Sequence, residues 1–234
     1  MMGQTQSTAV PKIMSKQLHQ PKQERTQKRM EKVIEATEKM IVNMDLEKIS
    51  IPEVANVSGV PRASIYQFFP TKYDLLRHIA LQHLNVLINH LKSVGLQVIL
   101  DQPNQPITVY GQLVTAAMIR ATADFYNESD VASILILSGA VTQQSYLEYQ
   151  IELQKVSSAM RDALKMINVD EHIPSQPDTL TILIELVFTC MKHGYYNESY
   201  ISEAICQECY RIAMSYLAAL KNNHFKLPKP DIQK

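Results

Sequence analysis

The chain has 234 residues, of which 46% are apolar, and its 23 lysines and arginines balance its 23 aspartates and glutamates. A chain of this length and apolar content can bury a substantial core, which excludes a mostly disordered or collagen-like protein. Its three cysteines do not form the disulfide framework of a small secreted domain, and no stretch approaches the roughly 20 apolar residues of a membrane span. The N-terminus also has no apolar run of signal-peptide length, so we expect a cytoplasmic protein with no membrane partner.

The neutral total hides an uneven distribution of charge along the chain. Residues 1–78 carry twelve basic and eight acidic side chains, a net charge of +4, and the remaining residues carry eleven basic and fifteen acidic ones, a net charge of −4. A basic front part suits contact with phosphates. The acidic remainder suits contact with solvent, a partner subunit or a cationic ligand.

The first part of the chain divides into a polar segment and a helix. Residues 1–23 contain three lysines, two prolines and no acidic residue, and we predict a flexible basic arm there. A solvated tail is the favoured interpretation of this arm, and non-specific contact with DNA phosphates is left open. From Glu24 onward, apolar residues such as Met30, Val33 and Ile34 recur at helical spacing and predict an amphipathic helix.

Two short helices follow, separated by a turn. Ser50-Ile51-Pro52-Glu53 matches a capping box, in which the serine oxygen accepts the amide of Glu53 and the glutamate reaches back to the amide of Ser50. Gly59 suits the left-handed backbone that ends a helix, and Pro61 begins a second helix over Arg62 to Phe69. A capped helix, a glycine turn and a second helix with polar side chains are typical of a helix-turn-helix motif.

The rest of the chain is predicted to be helical. A long amphipathic helix begins at Lys72, and a loop marked by Gly95, Pro103 and Pro106 follows it. Further helical segments are predicted over residues 110–125, 146–167, 178–193 and 200–221. Residues 131–137 form a short apolar segment that is more helix than strand in this context, although its period alone does not decide. The chain is therefore predicted to be all-α.

Several short runs occur together across the first three helices and the start of the fourth. They are Arg29, Val33-Ile34-Glu35-Ala36, Ile49-Ser50-Ile51, Val54-Ala55, Ser58-Gly59-Val60, Ser64-Ile65-Tyr66, Phe69 and Lys72-Tyr73-Asp74-Leu75-Leu76. At this spacing, Gln27 to His78 resembles the DNA-binding domain of the TetR/AcrR family of bacterial transcriptional regulators, over about a quarter of the chain. The resemblance implies an N-terminal three-helix helix-turn-helix domain followed by a C-terminal helical ligand-binding and dimerisation bundle.

The resemblance also implies an organisation and a function. We expect a flexible basic arm (1–23), a helix-turn-helix DNA-binding domain (24–71), a ligand-binding and dimerisation domain (72–222) and a C-terminal tail (223–234). The expected function is a ligand-responsive transcriptional repressor, released by a small-molecule effector from a pseudo-palindromic double-stranded DNA operator, with activation left open. The expected partner is a second copy of the chain, paired through the two C-terminal helices, whose apolar surfaces exceed what one bundle face needs.

Candidate DNA contacts lie on the second short helix and at two helix starts. Helical spacing leaves Arg62, Ser64 and Gln67 able to face outward, where arginine can pair with guanine and glutamine with adenine. The resemblance implies phosphate contacts from Tyr66 and Lys72, whereas Ser50 is explained equally well as a cap. The predicted DNA-binding set is Ser50, Arg62, Ala63, Ser64, Tyr66, Gln67 and Lys72.

Three positions depart from the pattern of the family. Pro61 stands where a serine-like cap is usual, Ala63 where glycine is common, and Phe68 where the family often has a polar residue or histidine. At Phe68, packing against a thymine methyl group or against protein can replace a base contact. The operator sequence does not follow from these differences.

The acidic C-terminal part carries no motif of its own, but it is rich in tyrosine and methionine. Such residues at helical spacing are more often core than pocket, although methionine suits a pocket that adapts to varied apolar shapes. The candidate pocket residues are Leu84, Ile88, Met118, Phe125, Tyr146, Tyr149 and Phe188. An apolar, aromatic or cationic amphiphilic effector is compatible with such a lining.

Cysteine and histidine spacing near the C-terminus suggests three alternatives. Cys190-x-x-His193 and Cys206-x-x-Cys209 have zinc-finger-like spacing, but both pairs lie on predicted helices. Structural packing is the favoured interpretation, and a redox-sensing thiol pair and a metal site are the alternatives. No catalytic motif occurs, so we expect no enzyme activity, no cofactor and no metal. The alternative function is a helical small-molecule-binding protein or enzyme without specific DNA recognition.

Overall fold

The computed structural model describes residues 20–137, 151, 153–158, 160–162, 165 and 173–222. All regular structure in these ranges is helical, which confirms the all-α prediction. Most of the predicted arm, the predicted tail and the candidate pocket residues Tyr146 and Tyr149 lie outside the described residues.

The described residues form a series of helices in chain order. They are α1 (Gln20–Asn43), a 3-10 turn (Leu46–Lys48), α2 (Ile51–Ser58), α3 (Arg62–Phe68), α4 (Lys72–Asp101), α5 (Ile107–Glu128), α6 (Asp130–Ala132) with a π-helical turn (Ser133–Leu137), α7 (the described residues between 151 and 165), α8 (Thr179–Glu198) and α9 (Glu203–Asn222). None of the described helices is long and apolar enough to cross a membrane.

Two predicted boundaries differ from the structure. Residues 20–23 were expected in the flexible arm but form the first turn of α1, where Pro21 loses only an amide that has no helical partner there. Gly95 was expected to mark a loop but lies buried inside α4, which continues to Asp101. A Cβ atom at Gly95 would lie 3.1 Å from Cε of Met118. This glycine therefore permits a close approach between α4 and α5 and does not form a turn.

The N-terminal core joins α1, α2, α3 and the beginning of α4. Its fully buried side chains include Val33, Val54, Ile65, Leu75 and Ile79. Between α2 and α3, Gly59 has a φ of 68° and donates its amide to the carbonyl of Ala55 at 3.0 Å, as a left-handed helix end requires. The small core and this turn together fix the direction of α3.

A second, larger core lies in the C-terminal bundle. Side chains from the later part of α4, including Leu84, Leu87 and Ile88, pack there with side chains from α5, α8 and α9. Leu75 and Ile79, earlier on α4, belong to the N-terminal core. One helix therefore contributes to both cores and connects them.

Polar contacts between distant residues join the helices of the bundle. The side-chain amide of Asn127 on α5 donates to the carbonyl of Ile201 at 2.9 Å and accepts its amide at 2.8 Å. Arg120 forms two hydrogen bonds with the carboxylate of Glu203, at 2.8 and 2.9 Å. These contacts hold the start of α9 against α5.

Candidate nucleic-acid interface

The N-terminus of α2 is capped by Ser50. Its hydroxyl oxygen accepts the amide of Glu53 at 3.4 Å, as predicted, and its hydroxyl donates to the Glu53 carboxylate at 2.8 Å. The glutamate therefore closes the cap through the serine hydroxyl, where the sequence predicted a bond to the serine amide. The hydroxyl can serve both partners because it is a donor and an acceptor.

The inward face of α3 is apolar and fixes the orientation of the helix. Ile65 is fully buried, and Phe69, directly after α3, is also buried. Phe68 is half-buried against the same core, with its ring centroid 6.4 Å from that of Phe69. Of the two alternatives for Phe68, the structure shows packing against protein.

The outward face of α3 carries five of the predicted DNA-binding residues. Arg62, Ala63, Tyr66 and Gln67 are exposed, and Ser64 is half-buried. Tyr66 retains 48% of its surface in contact with solvent. Ile65 is buried against the core, and these five residues occupy the remaining surface of α3, which a helix that enters the major groove can present to DNA.

The N-terminus of α4 is capped by a complete capping box, which was not predicted from the sequence. The hydroxyl oxygen of Thr71 accepts the amide of Asp74 at 3.1 Å, and the Asp74 carboxylate accepts the amide of Thr71 at 3.0 Å. The same carboxylate accepts a bond from Arg77 at 2.8 Å. Threonine followed three residues later by an acid is the sequence signal of this cap.

Lys72, predicted to contact phosphate, lies at this helix start with its ammonium group already engaged. Its Nζ donates to the carbonyl oxygens of Leu46 and Glu47, at 3.2 and 3.0 Å. The side chain is only 19% exposed. Lys72 therefore joins α4 to the 3-10 turn that precedes α2.

The candidate pocket residues that the structure describes lie in or against the core of the C-terminal bundle. Leu84 and Ile88 are buried there, and Met118, Phe125 and Phe188 pack against it as half-buried side chains. The structure thus brings these five residues to one region of the bundle.

A shallow depression between α5 and α9 lies apart from these residues. It has a volume of about 120 Å³ and is lined by Ala116, Ile119, Arg120, Cys206, Gln207 and Tyr210. Ligand pockets typically measure about 300–1,000 Å³. The depression is therefore too small for a drug-sized effector, and it contains none of the predicted pocket residues.

The three cysteines are free thiols on α8 and α9. Burial raises the pKa values of Cys206 and Cys209, and Cys209 Sγ donates a weak bond to the carbonyl of Val187 at 3.6 Å. His193 is exposed and lies beside Asn197. Among the residues that the structure describes, no three His, Cys, Asp or Glu side chains are grouped to hold a metal ion. The burial of Cys206 and Cys209 is consistent with the favoured interpretation of structural packing.

Comparison with known families decides what this helix-turn-helix is. Residues 33–79 match the family model of bacterial regulatory proteins of the tetR family. These residues are therefore similar to the DNA-binding domain of the TetR family. The match ends at Ile79, the last residue of α4 that is buried in the N-terminal core. It supports a role in transcription regulation through a DNA-binding domain at residues 33–79.

Comparisons of the whole chain add less. A search of the curated proteins found no match. Among solved structures, the chain is similar to the TetR family transcriptional regulator PfmR from Thermus thermophilus, with 14% sequence identity and a TM-score of 0.48. That similarity covers 83% of this chain and 99% of the PfmR chain.

Proposed function

We propose that the chain is a homodimeric repressor that binds a pseudo-palindromic operator through α3 and is released from it by a small-molecule effector. The observation that carries the proposal is the exposed polar face of α3, opposite the buried side chain of Ile65. The TetR-family match supports the DNA-binding part. Repression, dimerisation and the response to an effector are the finer parts of the proposal.

The DNA contacts divide between bases and phosphates. Arg62 and Gln67 have the donor and acceptor groups that read guanine and adenine edges in the major groove, and Ala63 offers a methyl group to thymine. Ser64 and Tyr66 offer hydroxyl groups to the backbone, which position the helix without reading sequence. Ser50 can add a phosphate contact only if its hydroxyl shares or leaves the Glu53 carboxylate.

The dimer is proposed to form through α8 and α9. On α8, Leu186, Thr189, His193 and Tyr196 follow one another at steps of three and four residues, and all four are exposed. Leu186 and Tyr196 are 42% and 59% exposed, and a second copy would cover this stripe. A twofold pair would present two α3 helices to half-sites about one helical turn apart.

The effector is proposed to bind near Leu84, Ile88, Met118, Phe125 and Phe188, and to act through α4. The helix α4 contributes to both cores. An effector that binds more tightly when the C-terminal half of α4 is in one position therefore also favours the corresponding position of the N-terminal half of α4. Coupling of this kind is typically about 1–3 kcal/mol. The effector must therefore bind the DNA-incompetent separation of the two α3 helices more tightly than the competent one.

The test combines Arg62→Ala with Tyr66→Phe and uses a duplex that the wild-type chain enriches from a random-sequence pool. We expect at least a roughly tenfold loss of affinity, because a bidentate base contact alone discriminates by about 1–3 kcal/mol. Lys39→Ala is the matched control, since Lys39 is an exposed lysine on α1 that pairs with Glu35. We expect this control to bind about as tightly as the wild type.

Light scattering accompanies the binding measurement, and both variants should keep twice the chain mass. Unchanged affinity of the double variant at physiological salt would contradict the assignment of α3 as the reading helix. Failure of the wild-type chain to enrich any duplex would contradict the DNA-binding function itself. It would favour a helical small-molecule-binding protein instead.

A further inference from the structure

We infer that the N-terminal part of α1 is a second DNA-binding surface, which binds backbone phosphates beside the bases that α3 reads. The surface is a basic stripe of four side chains: Arg25, Lys28, Arg29 and Lys32. The inference rests on the proposed DNA-binding function and adds to it a surface outside the TetR-family match, which begins at Val33. The basic stripe ends directly before that match.

The basic stripe lies on one side of α1. Its members follow one another at steps of three, one and three residues, and all four are exposed. At about 3.6 residues per turn they fall within an arc of about 100° of the helix surface. The two carboxylates of residues 24–32, Glu24 and Glu31, lie outside this arc, and Glu31 accepts a bond from Gln27 at 3.1 Å. The helix therefore presents one positive side.

The charges of the basic stripe are not neutralised by ion pairs. Among the residues that the structure describes, no carboxylate pairs with any of its four members. Lys39, farther along α1, instead lies 2.8 Å from Glu35, and Lys48 lies 2.8 Å from Asp45. The basic stripe thus keeps its positive charge for an anion outside the chain.

The composition of residues 24–32 selects the kind of partner. Met30 is the one apolar residue of this segment, and it packs against the N-terminal core. A helix that binds a membrane surface needs an apolar face, and a protein interface needs buried apolar or aromatic anchors. The segment has neither to offer. Phosphates of a nucleic acid need only the positive charges.

The length of the basic stripe fits a DNA strand. From Arg25 to Lys32, α1 rises by about 10 Å, at about 1.5 Å per residue. Successive phosphates of one strand of B-DNA are about 3.4 Å apart along the axis, so the stripe spans about three of them. Further along, α1 packs with α2 and α3 in the N-terminal core. When α3 fills the groove, the backbone beside the groove is the part of DNA left for α1.

Two variants with the same change in net charge test the inference. Each replaces three exposed basic residues by glutamine, which is a good helix former. The stripe variant carries Arg25→Gln, Lys28→Gln and Arg29→Gln. The bundle variant, which is the matched control, carries Lys92→Gln, Lys155→Gln and Lys165→Gln on α4 and α7. Light scattering and urea denaturation should give the wild-type mass and stability for both variants.

The first measurement is the salt dependence of affinity for the duplex that the wild-type chain enriches. Each lost phosphate contact makes the slope of log K against log salt concentration shallower by about 0.9. We expect the slope of the stripe variant to be shallower by at least about two, and its affinity at about 0.1 M salt to fall about tenfold or more. The bundle variant should keep the wild-type slope. A stripe variant with the wild-type slope would overturn the inference.

The second measurement identifies the phosphates. Single phosphates of the duplex are replaced by uncharged methylphosphonates. We expect about three positions in each half-site at which this replacement weakens binding of the wild type but not of the stripe variant. Arg62→Ala should remain sensitive at the same positions. If the stripe variant is as sensitive as the wild type at every position, the basic stripe does not bind the backbone.

The outcomes distinguish the inference from the proposed function. Phosphate contacts carry no sequence information, so the stripe variant should lose affinity for the enriched duplex and for a scrambled one by the same factor. Arg62→Ala with Tyr66→Phe should lose affinity mainly for the enriched duplex. An equal loss in the bundle variant would assign the effect to net charge and overturn the inference alone. If the wild-type chain binds no duplex, the proposed function fails together with the inference.

Discussion

The N-terminal domain and the C-terminal bundle differ in how far apart in the sequence their contacting residues lie. The helix caps of the first join near neighbours, and the contacts between helices of the second join distant residues. In the N-terminal domain, the caps join Ser50 to Glu53 and Thr71 to Asp74, three residues apart. In the bundle, Arg120 meets Glu203 and Asn127 meets Ile201, 83 and 74 residues apart. Local caps leave a pattern in the sequence that long-range contacts do not, so the helix starts of the first domain could be predicted and these contacts of the bundle could not.

The largest effect is expected where the bundle depends on close packing. Gly194 on α8 faces Ile205 on α9, and a Cβ atom there would lie 2.6 Å from Cγ1 of Ile205. Gly194→Ala must therefore force the two helices apart or distort Ile205. We expect the free energy of unfolding to fall by about 1–3 kcal/mol, as measured by urea denaturation.

Gly111→Ala is the matched control for this packing contact. Gly111 also lies in a helix, α5, but a Cβ atom there would meet no atom within 4 Å. Alanine is the better helix former by about 1 kcal/mol, so this variant should be slightly more stable than the wild type. If both variants behave alike, close packing of α8 against α9 does not stabilise the bundle.

A smaller effect is expected from a local cap of the N-terminal domain. Thr71→Ala removes the hydroxyl that accepts the amide of Asp74 and donates to its carboxylate. Loss of such a cap typically costs about 1 kcal/mol. Urea denaturation should show this loss, and Thr71→Ser, which keeps the hydroxyl, should restore most of it. Equal stability of Thr71→Ala and the wild type would mean that α4 does not depend on its cap.

The smallest effect concerns acid stability of the bundle. Burial disfavours the ionised carboxyl group of Asp178, but hydrogen bonds from Thr181 and Arg161 lower its pKa below the ordinary value of 3.8. The ionised form therefore stabilises the fold above about pH 4, and this contribution is lost as the pH falls through the lowered pKa. Asp178→Asn should weaken the loss of stability on acidification, as seen in urea midpoints at several pH values.

Asp162→Asn is the control for this acid effect, because Asp162 is an exposed carboxylate paired with Lys165. We expect this variant to lose stability on acidification as the wild type does. An Asp178→Asn variant with the same acid dependence as the wild type would contradict a role for the contacts among Arg161, Asp178 and Thr181.

The sequence predicted the helix-turn-helix in detail because its signals are local. Ser50, Gly59 and Pro61 each act on the backbone within a few residues, and α2 and α3 lie where these residues place them. Thr71 and Asp74 form an equally local signal, so the cap of α4 was predictable in the same way. The prediction of a loop at Gly95 was wrong, because the sequence does not distinguish a glycine that ends a helix from one that allows a neighbouring helix to approach closely.

The candidate contacts were predictable to different degrees. Helical spacing predicted that Arg62, Ser64 and Gln67 face outward; Arg62 and Gln67 are exposed, and Ser64 is half-buried. The partners of Lys72 could not be predicted, because Leu46 precedes it by 26 residues and the bond depends on tertiary packing. A ligand pocket would depend on contacts between helices far apart in the chain, and helical spacing alone does not distinguish the lining of a pocket from a core.

Hydroxyl-radical footprinting of the wild-type chain on the enriched duplex shows whether two copies of the chain read DNA through the exposed face of α3. If they do, we expect two symmetry-related protected regions whose centres are separated by about 10–10.5 base pairs or a multiple of that distance. Both regions should lose protection together in Arg62→Ala with Tyr66→Phe. One protected region, or two that persist in the double variant, would contradict paired reading of DNA through α3.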